Sequence, residues 1–338
     1  MRAAIFKAVG SPLAIETLPD PEPGEGEAVV RVSRCGVCGT DLHSTSGHGH
    51  TIASGSQLGH EYGGEVVALG RGVERLKVGD RVAALPVVGC GQCEACRTGI
   101  DVLCSRWTGY GTGLAEYARI NERGATVLPA TMSLADSALV EPFAVGYRAV
   151  RLAGVTPETR ALIVGPGPIG LSVLFWLQRM GVRRIALLAS TPRRRPLAEA
   201  MGAERLIIEG PEAEPEIAKA LGGAPDVVFE SAGMPGTLAR AIALVRPQGQ
   251  VLALGFCMSP EPIVPGLALL KDVMVRFSLI YTREDYAACA AALDVHGDQA
   301  RALVTDTVTL DGLPSAFEAF RAGTGGGGKL LIDPWAAA

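Results

Sequence analysis

RALIVGPGPIGLSVLFWLQRMGVRRIALLAS, residues 160–190, is the stretch whose reading decides the fold. It opens on a short apolar run ending at Val164. It turns on Gly165, Gly167 and Gly170, continues as an apolar helical segment to Met180, and closes on a second apolar run ending at Ala189. Strands that are apolar throughout have no wet face, so both belong in a parallel sheet covered on its two sides. The glycines are spaced G-x-G-x-x-G where a strand feeds a helix, the setting in which that spacing carries meaning. Gly165 permits the tight turn, Gly167 lets backbone approach a pyrophosphate, and Gly170 lets helix and strand pack closely. The helix opens at Pro168 and Ile169, and its unpaired N–H groups would face the phosphates. The expectation is a dinucleotide site.

Downstream the alternation continues. RRPLAEAMGA (194–203) reads as helix, RLIIE (205–209) as strand, EPEIAKALGG (214–223) as helix and PDVVFESAG (225–233) as strand. GTLARAIALVRPQGQ (236–250) reads as a helix closing on Gly249, and VLALG (251–255) as strand. Such alternation predicts a doubly wound α/β domain over 143–281. Upstream the texture differs. AIFKA, LAIETL, EAVVRVSRCGV, YGGEVVALG and DRVAAL are short, β-branched or alternating runs bounded by Gly, Pro or Asp. Residues 1–142 therefore read as a strand-rich domain, to which 282–338 return. That last segment reads as mixed and short, ending in a helix (LPSAFEAFRAG), a glycine turn at 325–328 and a strand (KLLID).

The chain has 338 residues, which suits two domains. A net charge of -4 gives no basic face for nucleic acid. The opening MRAAIFKAVGSPLAIE has no apolar leader, and IGLSVLFWLQRMG is too short to cross a bilayer. The expected compartment is the cytoplasm, where eight cysteines are ligands or free thiols rather than disulfides.

Four of them form C-x2-C-x2-C-x7-C: Cys90, Cys93, Cys96 and Cys104 in CGQCEACRTGIDVLC. Short loops turn successive thiolates toward one tetrahedral centre. Zinc is the first reading. An iron–sulfur cluster is the rival, but its bacterial signature follows the last cysteine with Pro, and Ser105 stands here. Four thiolates leave no open position, so the metal would hold the loop. The motif is nearly charge-balanced, against a nucleic-acid ribbon. CGVCGTDLH (35–43) is open to three readings: a redox pair of Cys35 and Cys38, a metal site completed later, or buried thiols beside a turn.

The end of the second strand bears on the cofactor. About 20 residues past the glycines, NAD enzymes carry a carboxylate on the ribose hydroxyls. Ala189 stands there, followed by Ser190, Thr191, Arg193, Arg194 and Arg195. Without the carboxylate a 2′-phosphate is not repelled, and arginines offer it forked donors. This favours NADP over NAD, the alternative being that the arginines are a solvated helix face.

Taken together, GVCGTDLH, GHE (59–61), the four-cysteine loop, EP (141–142) and the glycine turn resemble the zinc-dependent medium-chain dehydrogenase/reductase family of alcohol and polyol dehydrogenases. The likeness spans the whole chain and is nearest the sorbitol dehydrogenase branch. It implies a GroES-like β domain into which a Rossmann domain is inserted. It implies a second zinc, a catalytic one, held by Cys38, His60 and either Glu61 or Glu141, with Cys35 a bystander. It implies that Thr40 and His43 relay a proton and that Asp41 orients His60. The substrate class would be a secondary alcohol, polyol or ketone, and the assembly a homodimer or homotetramer. The alternatives are an NAD-linked polyol dehydrogenase and, remotely, a silent dinucleotide-binding protein. Two departures touch the regions that border the family's substrate pocket. STSGHGHTIASGSQL lacks the usual proline-rich approach and adds His48 and His50, and SRWTGYGTGLAEYA is short.

Overall fold

The computed structural model describes residues 1–47 and 52–336. His48 and His50 lie outside the described residues. The chain divides into two compact units, Met1–Glu141 with Thr282–Ala338, and Pro142–Tyr281.

The second unit is a six-stranded sheet whose every neighbouring pair is parallel. Its strands lie in the order Leu206–Ile208, Arg184–Ala189, Arg160–Val164, Val227–Glu230, Gln250–Ala253 and Met274–Phe277. Numbered along the chain from Arg160, this is 3-2-1-4-5-6, the doubly wound Rossmann order, which reverses beside Arg160–Val164. The glycine turn leaves that same strand, so the reversal point and the phosphate turn coincide. Leu162, Leu188, Val228 and Val251 fill the core with Ile217, Leu221 and Ile242 from the covering helices. The helix read over 236–250 ends earlier, at Leu244, with Val245 already extended. Pro247 explains the difference, because it biases the residue before it away from helix.

The first unit holds a seven-stranded sheet. Val304–Thr309, Lys329–Asp333, Glu27–Val37, Glu61–Leu69, Arg81–Ala84 and Ala125–Val127 lie side by side, and Tyr117–Asn121 also pairs with Glu27–Val37. Val30, Val32, Tyr62, Val66, Phe317 and Ile332 meet in its core. The strand from the C-terminal return, Lys329–Asp333, pairs antiparallel with Glu27–Val37. The return is not all short pieces. Arg283–Arg301 is a helical run of 19 residues, bent at His296 and opened by a Thr282–Asp285 capping box. Its many alanines blur the apolar stripe from which a helix is usually read.

Candidate metal centre and nucleotide turn

The Glu27–Val37 strand ends beside Cys38, which N-caps the helix Gly39–Ser44. The Cys38 N–H donates to Asp41 Oδ2 at 2.9 Å, closing a capping box that fixes the turn. Asp41 is buried, and its Oδ1 lies 3.4 Å from His60 Nδ1. That contact occupies one ring nitrogen and leaves Nε2 to face the centre, where Thr40 Oγ1 lies 3.3 Å away. Glu61 follows as the first residue of its strand. Ligand atoms of Cys38, His60 and Glu61 all lie within 4.8 Å of one another. Burial pulls the His60 imidazole down, yet Asp41 and Cys38 outweigh it and hold it well above its ordinary pKa.

One oxygen of Glu61 is committed. Lys329 Nζ donates to Glu61 Oε1 at 2.6 Å and to the Val37 carbonyl at 3.3 Å. Glu61 Oε2 is buried and has no hydrogen-bond partner. Gly36 makes room for it, since a Cβ there would stand 2.1 Å from that atom. A buried carboxylate oxygen without a partner is costly. Beside a thiolate and an imidazole it completes a mixed S, N, O donor set that suits zinc. The residues therefore fit the metal. Glu141 is buried on the first turn of Val140–Ala153 and does not join this cluster. His43 is exposed on the short helix. Cys35 is fully buried, and burial pushes its thiol well up, which keeps it protonated and unlike a redox partner.

The four-cysteine loop converges as well, with the Sγ atoms of Cys90, Cys93, Cys96 and Cys104 within 4.8 Å of one another. Cys104 Sγ accepts from the Cys90 and Arg106 backbone N–H groups, each at 3.3 Å. Arg106 Nη2 donates to Cys90 Sγ at 3.3 Å. Backbone N–H groups of Gln92 and Cys93 lower the Cys90 thiol to about 6, whereas burial raises Cys96 to about 11. The set suits a closed tetrahedral zinc.

In the second unit Gly165 has φ +90°, and a Cβ there would meet Ala232 at 2.8 Å. Ser231 Oγ donates to the Val164 and Gly165 carbonyls at 3.0 and 2.8 Å and so pins the turn. Glu230 Oε1 accepts from the N–H groups of Ala232 and Gly233 and from Thr237 Oγ1 at 2.8–2.9 Å. Pro168 and Ile169 begin the helix Pro168–Arg179. Ala189 is buried at its strand's end, and Ser190, Thr191 and Arg193 follow exposed. Arg194 turns back, with Nη1 3.5 Å from where a side chain on Gly167 would begin. Sequence reasoning missed Lys329, Ser231 and Glu230. An acidic residue closing the apolar run VVFE is a signal for the last of these, because a buried carboxylate demands partners.

Comparison with known proteins agrees with this geometry. Residues 24–130 match the family model for the alcohol dehydrogenase GroES-like domain, and 168–294 match that for zinc-binding dehydrogenases. Sorbitol dehydrogenase of Bacillus subtilis is 34% identical over 265 residues, 75% of either chain. An alcohol dehydrogenase of Escherichia coli CFT073, solved with NADH, superposes with a TM-score of 0.89 at 25% identity, covering 98% of this chain and 99% of that one. A zinc-binding dehydrogenase of Sinorhizobium meliloti 1021, solved with NADP, gives 0.85 at 27% identity with coverage of 98% and 99%. With a thiolate–imidazole–carboxylate cluster on one unit and a glycine turn at the sheet reversal of the other, the chain belongs to the zinc-dependent medium-chain alcohol dehydrogenase family, among its sorbitol dehydrogenase-like members.

Proposed function

We propose that the protein oxidises a secondary alcohol or polyol, or reduces the matching ketone, with NADP as hydride partner. The observation that carries this reading is the unpartnered Glu61 Oε2 within 4.8 Å of the Cys38 and His60 ligand atoms. Three protein ligands leave a tetrahedral metal one position for a substrate oxygen, as catalytic zinc sites require. When bound, zinc supplies the Lewis acidity that lets an alcohol lose its proton near neutral pH. Cys38, His60 and Glu61 are the ligands in this reading, with Glu141 outside the first set. Asp41 holds the His60 ring so that Nε2 stays a ligand. Thr40 Oγ1 accepts the hydroxyl proton as it passes its own onward toward exposed His43, which exchanges it with water. The intact triad weighs against a silent dinucleotide-binding protein.

Unit Met1–Glu141 with Thr282–Ala338 is the catalytic domain of this proposal, and Pro142–Tyr281 the dinucleotide domain. Gly165, Gly167, Pro168, Ile169 and Gly170 cradle the pyrophosphate, and Ser190, Thr191, Arg193 and Arg194 receive the 2′-phosphate side. NAD is the second reading, because Arg194 turns toward Gly167 and leaves Ser190, Thr191 and Arg193 alone at the strand's end. Cys90, Cys93, Cys96 and Cys104 hold a structural zinc. Assembly as a homodimer or homotetramer belongs to the same proposal. Its support is the edge strand Met274–Phe277, where Met274 and Phe277 are exposed, as are Leu269 and Leu270 a few residues earlier in the chain. Apolar edge strands invite pairing with a second copy. No helix among the described residues is long and apolar enough to cross a membrane. A cytoplasmic location, which keeps the thiols reduced, completes the reading.

The test is a panel of polyols, vicinal diols and simple secondary alcohols assayed with NADP and NAD. The expected result is oxidation with kcat/KM at least about tenfold higher for NADP, the scale of one charged hydrogen bond. A preference for NAD overturns the cofactor assignment. Failure of the whole panel, in both directions and with zinc bound, overturns the activity.

A further inference from the structure

The helix Gly39–Ser44 carries Thr40, Asp41 and His43, and it has only six residues. A helix so short does not hold itself in water, and its last carbonyls have no partners within it. Those carbonyls are answered one by one. Ser44 Oγ donates to Thr40 O at 2.8 Å, and Thr45 Oγ1 donates to Asp41 O at 2.7 Å. Arg321 supplies the next link from the end of the distant helix Leu313–Arg321. Its Nη1 donates to Leu42 O at 3.2 Å and its Nη2 to Thr45 Oγ1 at 2.9 Å. Thr45 is 2% exposed, so its hydroxyl oxygen depends on that donor.

The guanidinium is itself braced. Its Cζ stands 5.3 Å from the Phe317 ring centroid, and its Nε donates to Glu318 Oε2 at 3.1 Å. Beyond Thr45 the chain of contacts runs to Asp41, whose carboxylate meets the Cys38 N–H and His60 Nδ1. A cation at a helix C-terminus also complements the dipole there. The two donations need the planar fork of arginine, which a single ammonium does not reproduce.

We propose that Arg321, acting through Thr45, is a positioning residue that fixes the angle of the short helix and with it the aim of Asp41 on His60. It touches neither metal nor substrate. The inference rests on the reading of Cys38, His60 and Glu61 as the metal centre.

Arg321→Ala, Arg321→Lys and Thr45→Val test it in the zinc-loaded protein. Zinc content and dinucleotide KM should match wild type, while kcat falls about tenfold or more, since misplacement by about 1 Å can cost two orders of magnitude. The visible band of cobalt placed at the Cys38 centre should shift, and amides 39–45 should exchange faster with deuterium. Thr45→Val removes one hydroxyl at constant shape and keeps the test alive if Arg321→Ala does not fold. A lowered melting temperature with kcat and the cobalt band unchanged would show a merely structural brace and overturn the inference. If wild type turns over no alcohol, the proposed activity falls, and the cobalt band alone then decides for or against Arg321.

Discussion

Replacing Lys329 by Met should be the most damaging single change in the first unit. The side chains of Glu61 and Lys329 are 0% and 3% exposed, and their charges meet at 2.6 Å. Burial alone would pull Lys329 down, but Glu61 and Cys38 hold its pKa above the ordinary lysine value, so its ammonium stays charged. Met keeps the volume of the stem and removes the charge. Glu61 then has no partner for Oε1, as it already has none for Oε2. Removing one member of a buried pair costs about 3–5 kcal/mol. For a unit of this size that lowers the melting temperature by roughly 6–20 °C. Zinc would bring its own positive charge to Glu61, so the loss should be smaller in zinc-saturated protein than after chelation. The second arm is Lys329→Met with Glu61→Leu. Replacing both partners by apolar residues is often neutral, so the double variant should recover most of the stability while losing catalytic zinc. Thermal unfolding with metal analysis reads all three. Lys329→Met melting within about 2 °C of wild type, or a double variant whose losses simply add, would refute the reasoning.

Cys93→Ser should lose the loop zinc and lower the melting temperature while turnover survives, because a closed site does no chemistry. Full zinc content with unchanged melting would count against it. Ala189→Asp should raise the KM for NADP about tenfold or more with little change in kcat, as the new carboxylate repels a 2′-phosphate. Equal KM values in variant and wild type would remove the strand end from cofactor choice. Asp226→Asn should destabilise by on the order of 2 kcal/mol at neutral pH. Side-chain hydrogen bonds from Arg160, joined by Arg246, hold the Asp226 carboxyl well below the usual range against the pull of burial. Its folded pKa is depressed, so its contribution is complete above the ordinary aspartate value near 4 and fades as pH falls. Urea unfolding from pH 7 to pH 3 should show the gap constant down to about pH 4 and beginning to narrow below it, and a gap constant throughout would contradict this assignment.

What was legible in the sequence was what lies close together along it. The glycine turn and the four-cysteine loop are local patterns, and their geometry follows from short spacings. The pairing of GVCGTDLH with GHE was reached through a resemblance, not through spacing. Lys329 and Arg321 were illegible, because each acts on a partner 268 or 276 residues away and neither carries a local mark. The helix Arg283–Arg301 could have been found from Thr282 and Asp285, which cap it reciprocally. Its alanine-rich faces hid the period. Glu61 and Glu141 are both acidic residues at the start of an element, and the sequence does not separate them; in the structure the carboxylate that lies with Cys38 and His60 is that of Glu61.

The place of the Lys329–Asp333 strand has a consequence for synthesis on the ribosome. Glu61 emerges 268 residues ahead of the lysine that neutralises it. At about 5–20 residues per second that is a delay of roughly 13–54 s. Throughout it, the Glu27–Val37 strand lacks its Lys329 neighbour and the carboxylate has no counter-ion. All of Pro142–Tyr281 is made within that interval. The nucleotide unit can therefore be complete while the unit made first is still waiting. Ribosome-stalled chains ending before residue 329 should show a protease-resistant second unit beside a cleavable Glu61–Leu69 strand, and cotranslational damage should concentrate in the first unit.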